Sequence, residues 1–171
     1  IYHKGVFEKI LRGMGFEPII IDEGYAVVLS ELGYKDFTGI GISCGGGMVN
    51  VCAAYKSVPL ISFSITRGGD WIDKSAASVL GIPASNVTTI KEQGVNLVNP
   101  STREEEAIAI YYRNFIHYFL DIISQVFGKN TNIPQFKGSA DIVFAGGSSM
   151  ADGFLDIVKE EMQTIEMGLP I

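Results

Sequence analysis

Apolar residues recur along this chain at two spacings, and the switches between them mark out the predicted elements. Val6, Ile10 and Leu11 fall at helical spacing with Glu8, Lys9 and Arg12 between them, and Gly13 and Gly15 end the run. This predicts an amphipathic helix of about three turns. After Glu17-Pro18, the consecutive β-branched residues Ile19, Ile20 and Ile21 predict a buried strand. Tyr25, Val28, Leu29 and Leu32 predict a second helix, closed by Gly33. From Thr38 to Tyr55 the period changes to two. Ile40 and Ile42 alternate with small residues, then Val49, Val51, Ala53 and Tyr55 share one parity. The two runs read as a hairpin joined at Gly45, Gly46 and Gly47. Lys56-Ser57 is a turn, and Val58 to Arg67 alternates Ile61, Phe63 and Ile65 with Leu60, Ser62 and Ser64, predicting a third strand.

Gly68-Gly69-Asp70 then opens a helix carrying Trp71, Ile72, Ala76 and Leu80, with Asp70 suited to cap it. Between Ile82 and Leu97, a short helix could start at Ser85-Asn86 or at Thr88-Thr89, with Lys91-Glu92 near its end at Gly94. Glu104 to Phe127 is the longest periodic stretch. Ile108, Tyr111, Tyr112, Phe115, Phe119, Ile122, Ile123 and Val126 form its apolar stripe, and Arg113, His117, Asp121 and Gln125 its polar face. Aromatic residues at this spacing read as core. Glu104, Glu105 and Glu106 suit the N-terminal dipole. A loop from Gly128 to Gly138 leads to a short strand, Asp141 to Ala145, a Gly146-Gly147-Ser148-Ser149 turn and a last helix carrying Phe154, Ile157, Val158 and Met162. A meander of three strands, then helices, then strand, turn and helix, is an α/β order.

Composition narrows the class. At 171 residues with 47% hydrophobic and 19% charged residues, the chain has the size and apolar content of one well-packed domain. Its 13 basic and 19 acidic residues give a formal charge of −6 without a Lys/Arg cluster, which argues against a nucleic-acid partner. No apolar run approaches the ~20 residues of a transmembrane helix. Cys44 and Cys52 sit inside strand-like runs without metal-ligand spacing and read as buried free thiols, which points to the cytoplasm. His3 and His117 lie outside ligand spacing of other metal-binding residues, so no metal site is expected from them.

The candidate chemistry lies in two glycine turns. Gly45 to Gly47 free backbone N–H groups to approach a ligand that needs donors without bulk, such as a phosphate, although GGG taken alone reads first as a tight hairpin with no ligand. Gly146-Gly147-Ser148, between a strand and a helix, is a second potential anion or nucleotide contact.

In their order and spacing these segments resemble the C-terminal lobe of the actin-like ATPase superfamily, which includes actin, MreB, FtsA, DnaK-type chaperones and the sugar kinases. Ile21-Asp22-Glu23-Gly24-Tyr25-Ala26 resembles the stretch where a strand ends and the helix linking the two lobes begins. Ser43-Cys44-Gly45-Gly46-Gly47-Met48-Val49-Asn50 resembles the second phosphate loop, and Phe144-Ala145-Gly146-Gly147-Ser148-Ser149-Met150 the adenosine motif. The resemblance implies a ribonuclease H-like lobe, with a three-stranded antiparallel meander extended by parallel strands and helices packed on the sheet. Residues 1–33 would end an upstream lobe and supply the linking helix; 34–171 would be the nucleotide-binding lobe, with a helical insertion at about 82–127.

By the same resemblance, ATP or ADP with Mg²⁺ is the expected ligand. Ser43, Gly45, Gly46, Gly47 and Met48 would lie at the phosphates, Lys91 at the nucleoside, and Gly147, Ser148 and Met150 with Gly146 at the adenosine; Glu23 would be the catalytic residue near the attacking water. The departures are Ser43 where the family has Asp, Met48 where it has Thr, and Asn50 where it has a second Asp; Thr88 stands where some relatives carry a ribose-binding Glu. Met48 can neither orient metal-bound water nor donate to a phosphate. The first phosphate loop of the superfamily belongs to the other lobe, so this chain alone is not expected to hydrolyse ATP. Three functions follow from the resemblance. One is a nucleotide-binding lobe whose slow or partner-dependent hydrolysis drives a conformational or assembly switch; another is a degenerate module for protein interaction; the third is a small-molecule kinase or enzyme reactivase.

Overall fold

The structure is a computed structural model and describes residues 2–129 and 139–165. The expected loop from Gly128 to Gly138 lies, beyond Lys129, outside the described residues. One sheet organises the rest. The antiparallel strands β1 (Gly39–Cys44), β2 (Val49–Tyr55) and β3 (Val58–Ile65) form the expected meander, and β4 (Ile142–Ala145) adds to β1 in parallel, giving the order β3-β2-β1-β4. β1, β3 and β4 therefore run in one direction, and their C-terminal ends lie along one edge of the sheet.

Alternation along β1 divides the core. Ile40, Ile42 and Cys44 face one layer together with Val49, Val51 and Ala53, against α3 (Gly69–Leu80), α5 (Arg103–Lys129) and α6 (Phe154–Met162). α4 (Ala84–Glu92) packs behind α3. The other face carries α2 (Glu23–Glu31), with Val28 and Leu32 on Cys52 and Ala54. This second interface is close because it is built on glycine. A Cβ on Gly24 would stand 2.7 Å from the backbone nitrogen of Cys52, and one on Gly41 would collide with the carbonyl oxygen of Gly24, so helix backbone rests directly on sheet backbone.

α5 buries Ile108, Tyr112, Phe115, Phe119 and Ile123 as its periodicity predicts, and Ile116, Leu120 and Phe127 join them. Tyr111, Ile122 and Val126 are only partly buried. Phe119 links two layers, its ring 5.2 Å from Phe115 and 6.4 Å from Phe144, which in turn lies 5.4 Å from Phe154. Side chains cap the start of the helix: Thr102 accepts from the Glu105 N–H, and Glu105 accepts from the N–H and hydroxyl of the preceding Ser101. On the polar face, Arg113 pairs with Glu160 and Glu161, and His117 with Glu161, which joins α5 to α6.

Three expectations are corrected. Ile19, Ile20 and Ile21 form no strand and are 87%, 52% and 46% exposed, because no strand among the described residues runs beside them to take up their backbone groups. Phe7, Ile10, Met14 and Phe16, on and after α1 (Tyr2–Gly13), are exposed as well. Asp70 does not cap α3: Gly68 occupies that position and Asp70 lies within the first turn. α4 starts at Ala84, ahead of both sites read from the sequence, because Pro83 in extended backbone leads directly into its first turn. Truncating the aromatic link, Phe119→Ala, is expected to destabilise the fold by about 3–5 kcal/mol, measured by urea unfolding.

Candidate functional site

Three glycine turns leave the same edge of the sheet and meet. Gly45–Gly47 follows β1, Gly68–Gly69 follows β3 and opens α3, and Gly146–Gly147 follows β4. The carbonyls of Gly45 and Gly46 accept the N–H groups of Gly69 and Asp70, each at 2.9 Å, so the first loop caps α3 through its backbone. Ser148 Oγ donates to the same Gly45 carbonyl at 3.3 Å. Side chains would not fit here. A Cβ on Gly69 would lie 2.5 Å from Ser148 Oγ; one on Gly146, where φ is +92°, would lie 2.5 Å from the Cys44 carbonyl. Gly47 and Gly147 are different, because a Cβ on either would meet nothing within 4 Å. Their backbone borders open space.

Beside these turns lies a cavity of about 490 Å³, whose lining includes Gly46, Asp70, Lys91, Gly147, Ser148 and Met150. Its floor is an ion pair. Lys91 Nζ donates to Asp73 Oδ1 at 2.6 Å and to the Gly69 carbonyl at 3.2 Å, and Thr88 Oγ1 donates to Asp73 Oδ2 at 2.7 Å. The Lys91 and Asp73 side chains are 14% and 9% exposed, so both Asp73 oxygens are held with little help from solvent. The ring of Tyr112 lies 5.8 Å from Lys91 Nζ; burial first, and the nearby Asp73 charge second, push its hydroxyl well above the usual tyrosine range. Asn96 donates to Asp152 at 2.9 Å across the far side.

A second polar centre lies at the same end of the sheet on its α2 face. Glu23, the first residue of α2, accepts from Ser43 Oγ through Oε1 and from Asn50 Nδ2 through Oε2, each at 2.6 Å. Ser64 Oγ donates to Asn50 Oδ1 at 2.7 Å. A cavity of about 150 Å³ adjoins, lined in part by Asp22, Glu23, Asn50, Ser62 and Ser64.

Of the residues singled out from sequence, Gly46, Lys91, Gly147, Ser148 and Met150 thus share one cavity, Gly45 and Gly146 build the turns behind it, and Glu23 and Ser43 meet on the other face. Met48 is 46% exposed before β2, and its carbonyl closes the loop by accepting the Gly45 N–H at 3.0 Å. The last helix does not follow the Gly146 turn directly: a 3-10 turn, Gly147–Met150, intervenes and α6 begins at Phe154, so that helix terminus does not lie at the glycine pair. Sequence reasoning missed Asp73. Its signal was Gly-Gly-Asp-x-x-Asp directly after a strand, which sets Asp70 and Asp73 on one helix face. Among the described residues, no cluster of three or more His, Cys, Asp or Glu side chains could hold a metal ion.

Both cysteines are free and buried, and burial pushes the Cys44 thiol from 9.0 up to about 12. The folded chain then holds that proton more tightly than the unfolded chain, so stability from this group falls as pH rises between 9.0 and about 12. At pH 8, Cys44 is expected to resist alkylation in the folded protein and to react on unfolding in urea, read by mass spectrometry. Asp73→Ala leaves the Lys91 ammonium buried without its partner and is expected to cost about 3–5 kcal/mol in urea unfolding.

Solved structures with the same architecture are known. The chain aligns with the ethanolamine utilization protein EutJ from Carboxydothermus hydrogenoformans at a TM-score of 0.62 and 22% identity, over 88% of this chain and 50% of that one. It aligns with a non-polymerising A278D mutant of MamK bound to AMPPNP at 0.60 and 18% identity, over 82% and 49%. For the PilM-PilN type IV pilus biogenesis complex, the values are 0.56 and 15%, over 98% and 45%. The chain thus has the fold of an actin-like ATPase lobe, as its sequence suggested, and spans about half the length of these structures. Among the described residues, no helix is long and apolar enough to cross a membrane. Among curated proteins no sequence matches the chain. The profile of one protein family matches residues 1–171, the whole length, and the chain belongs to that family, Volactin.

Proposed function

We propose that this chain is the nucleotide-binding lobe of a longer actin-like ATPase that binds ATP or ADP with Mg²⁺ and hydrolyses ATP slowly or under control of a partner. The observation that carries this reading is the convergence of three glycine turns on one cavity, with open backbone at Gly147 and an ion-paired lysine at its floor. A cavity of about 490 Å³ is within the range that accommodates a nucleoside. On this reading Gly45, Gly46 and Gly47 with Ser43 and Met48 belong to the phosphate loop. Gly146, Gly147, Ser148 and Met150 receive the adenosine, and Lys91 borders the nucleoside. MamK, of the same fold, is known bound to AMPPNP.

The side chains here fit Mg²⁺ only as a companion of the phosphates. Ser43 and Asn50 are engaged by Glu23, and Asp70, whose Oδ1 lies 2.8 Å from where a Gly46 Cβ would stand, is the carboxylate beside the loop. Mg²⁺ characteristically uses one or two carboxylates together with substrate phosphates and water, and when bound it would neutralise phosphate charge. Glu23 orients the attacking water. Residues 1–33 are read as the end of an upstream lobe with the linking helix, and 34–171 as the nucleotide lobe with its helical insertion at about 82–127. The exposed apolar residues of α1 and of Ile19–Ile21 support a further segment or protein partner against them. A degenerate interaction module is the second reading, favoured by Met48, which has no group for phosphate or metal.

Calorimetric titration of Mg-ATP into the full-length protein is expected to give micromolar affinity or better, roughly −8 kcal/mol. Gly46→Val drives a side chain toward Asp70 and across the loop, and is expected to weaken binding at least about tenfold while circular dichroism stays that of the wild type. Equal affinity in the variant would refute the phosphate-loop assignment. Absence of binding in the wild type would favour the interaction module.

A further inference from the structure

We propose that Ser43 and Asn50 are positioning residues that clamp the Glu23 carboxylate from both sides, making it the single fixed acid of the hydrolytic centre. The inference rests on the reading of Glu23 as the water-orienting residue, and it assigns a role to the positions where this chain departs from the pattern it resembles. Ser43 pairs with Asn50 across β1 and β2, and Asn50 with Ser64 across β2 and β3, so the three side chains stand in a row on one face of three adjacent strands. Gly24 allows α2 to lie flat over that row, which sets Glu23 above it.

Each carboxylate oxygen then has its own donor, Ser43 Oγ to Oε1 and Asn50 Nδ2 to Oε2, both at 2.6 Å. The Asn50 amide can present its NH₂ group to Glu23 because Ser64 donates to its oxygen at 2.7 Å, which fixes the amide the right way round. Neutral donors are what this geometry requires. An acid at either position would place a second carboxylate at hydrogen-bond distance from Glu23, where like charges repel. Serine and asparagine fix the direction of the carboxylate and leave its charge intact. Each oxygen keeps a lone pair for a water in the adjoining cavity of about 150 Å³.

The test uses the full-length protein and steady-state ATP hydrolysis. Asn50→Ala is expected to lower kcat by about tenfold to a hundredfold with KM for ATP little changed; Ser43→Ala is expected to lower kcat by a similar factor, and Ser43→Thr, which keeps the hydroxyl, to recover most of the loss. Because the clamp acts through Glu23, adding Asn50→Ala to Glu23→Gln should slow the enzyme no further. Wild-type kcat in Ser43→Ala and Asn50→Ala, or a further fall in the double variant, overturns the proposal. Thermal unfolding of Glu23→Ala, Asn50→Ala and their combination separates this from failure of the nucleotide reading. The combined shift in Tm should fall at least about 2 °C short of the sum. Additive shifts overturn the clamp; coupled shifts in a wild type that hydrolyses no ATP keep the clamp and overturn its catalytic role.

Discussion

The two hydrogen bonds from the Gly69 and Asp70 N–H groups to the carbonyls of Gly45 and Gly46 are the constraint on which the rest of this lobe depends. They make the loop after β1 the cap of α3, and they require that Gly68, Gly69 and Gly146 carry no Cβ, since a side chain at any of them would strike a neighbouring turn. Each of the strands β1, β3 and β4 is therefore followed by a glycine turn at this edge. The close approach satisfies the orphan donors of a helix that begins at the rim of the sheet, and it brings the first turn of α3, with Asp70 and Asp73, to the wall of a cavity.

What surrounds this knot is a set of charges that are each answered. Lys91 is held by Asp73, Asp73 by Thr88 as well, and Glu23 by Ser43 and Asn50. The charged residues lining the cavity that results are four acids, Asp70, Asp73, Glu92 and Asp152, and the paired Lys91, and its open backbone lies at Gly147. Such a lining suits a ligand that brings its own cation for its anionic end and presents hydroxyl and amine donors at the other. A nucleotide with Mg²⁺ has that character.

The sheet separates the two centres. Along β1, Cys44 turns into the α5 core and Ser43 turns to α2, so neighbouring residues serve opposite faces of one sheet end. Rigid packing on both sides fixes their relation: Phe119, Phe144 and Phe154 fill one layer, and the Gly24–Gly41 contact closes the other.

Much of this was legible from residue order. Period-two alternation located β1, β2 and β3, the aromatic stripe located α5, and the spacing of the Gly turns indicated the fold, because these signals come from local backbone preference and from which face must be buried. The Ile19–Ile21 run was misread as a strand because composition reports β-propensity, whereas a strand exists only where a neighbour takes up its hydrogen bonds. Other features had no local signal at all. That Asp73 holds Lys91, and that Ser43, Asn50 and Ser64 line up beneath Glu23, depends on strand register and on how α2 and α4 pack. Sequence determined the elements and the glycine turns; tertiary structure decided the partners of Asp73 and Glu23, since those pairings join residues 15 to 27 positions apart through space.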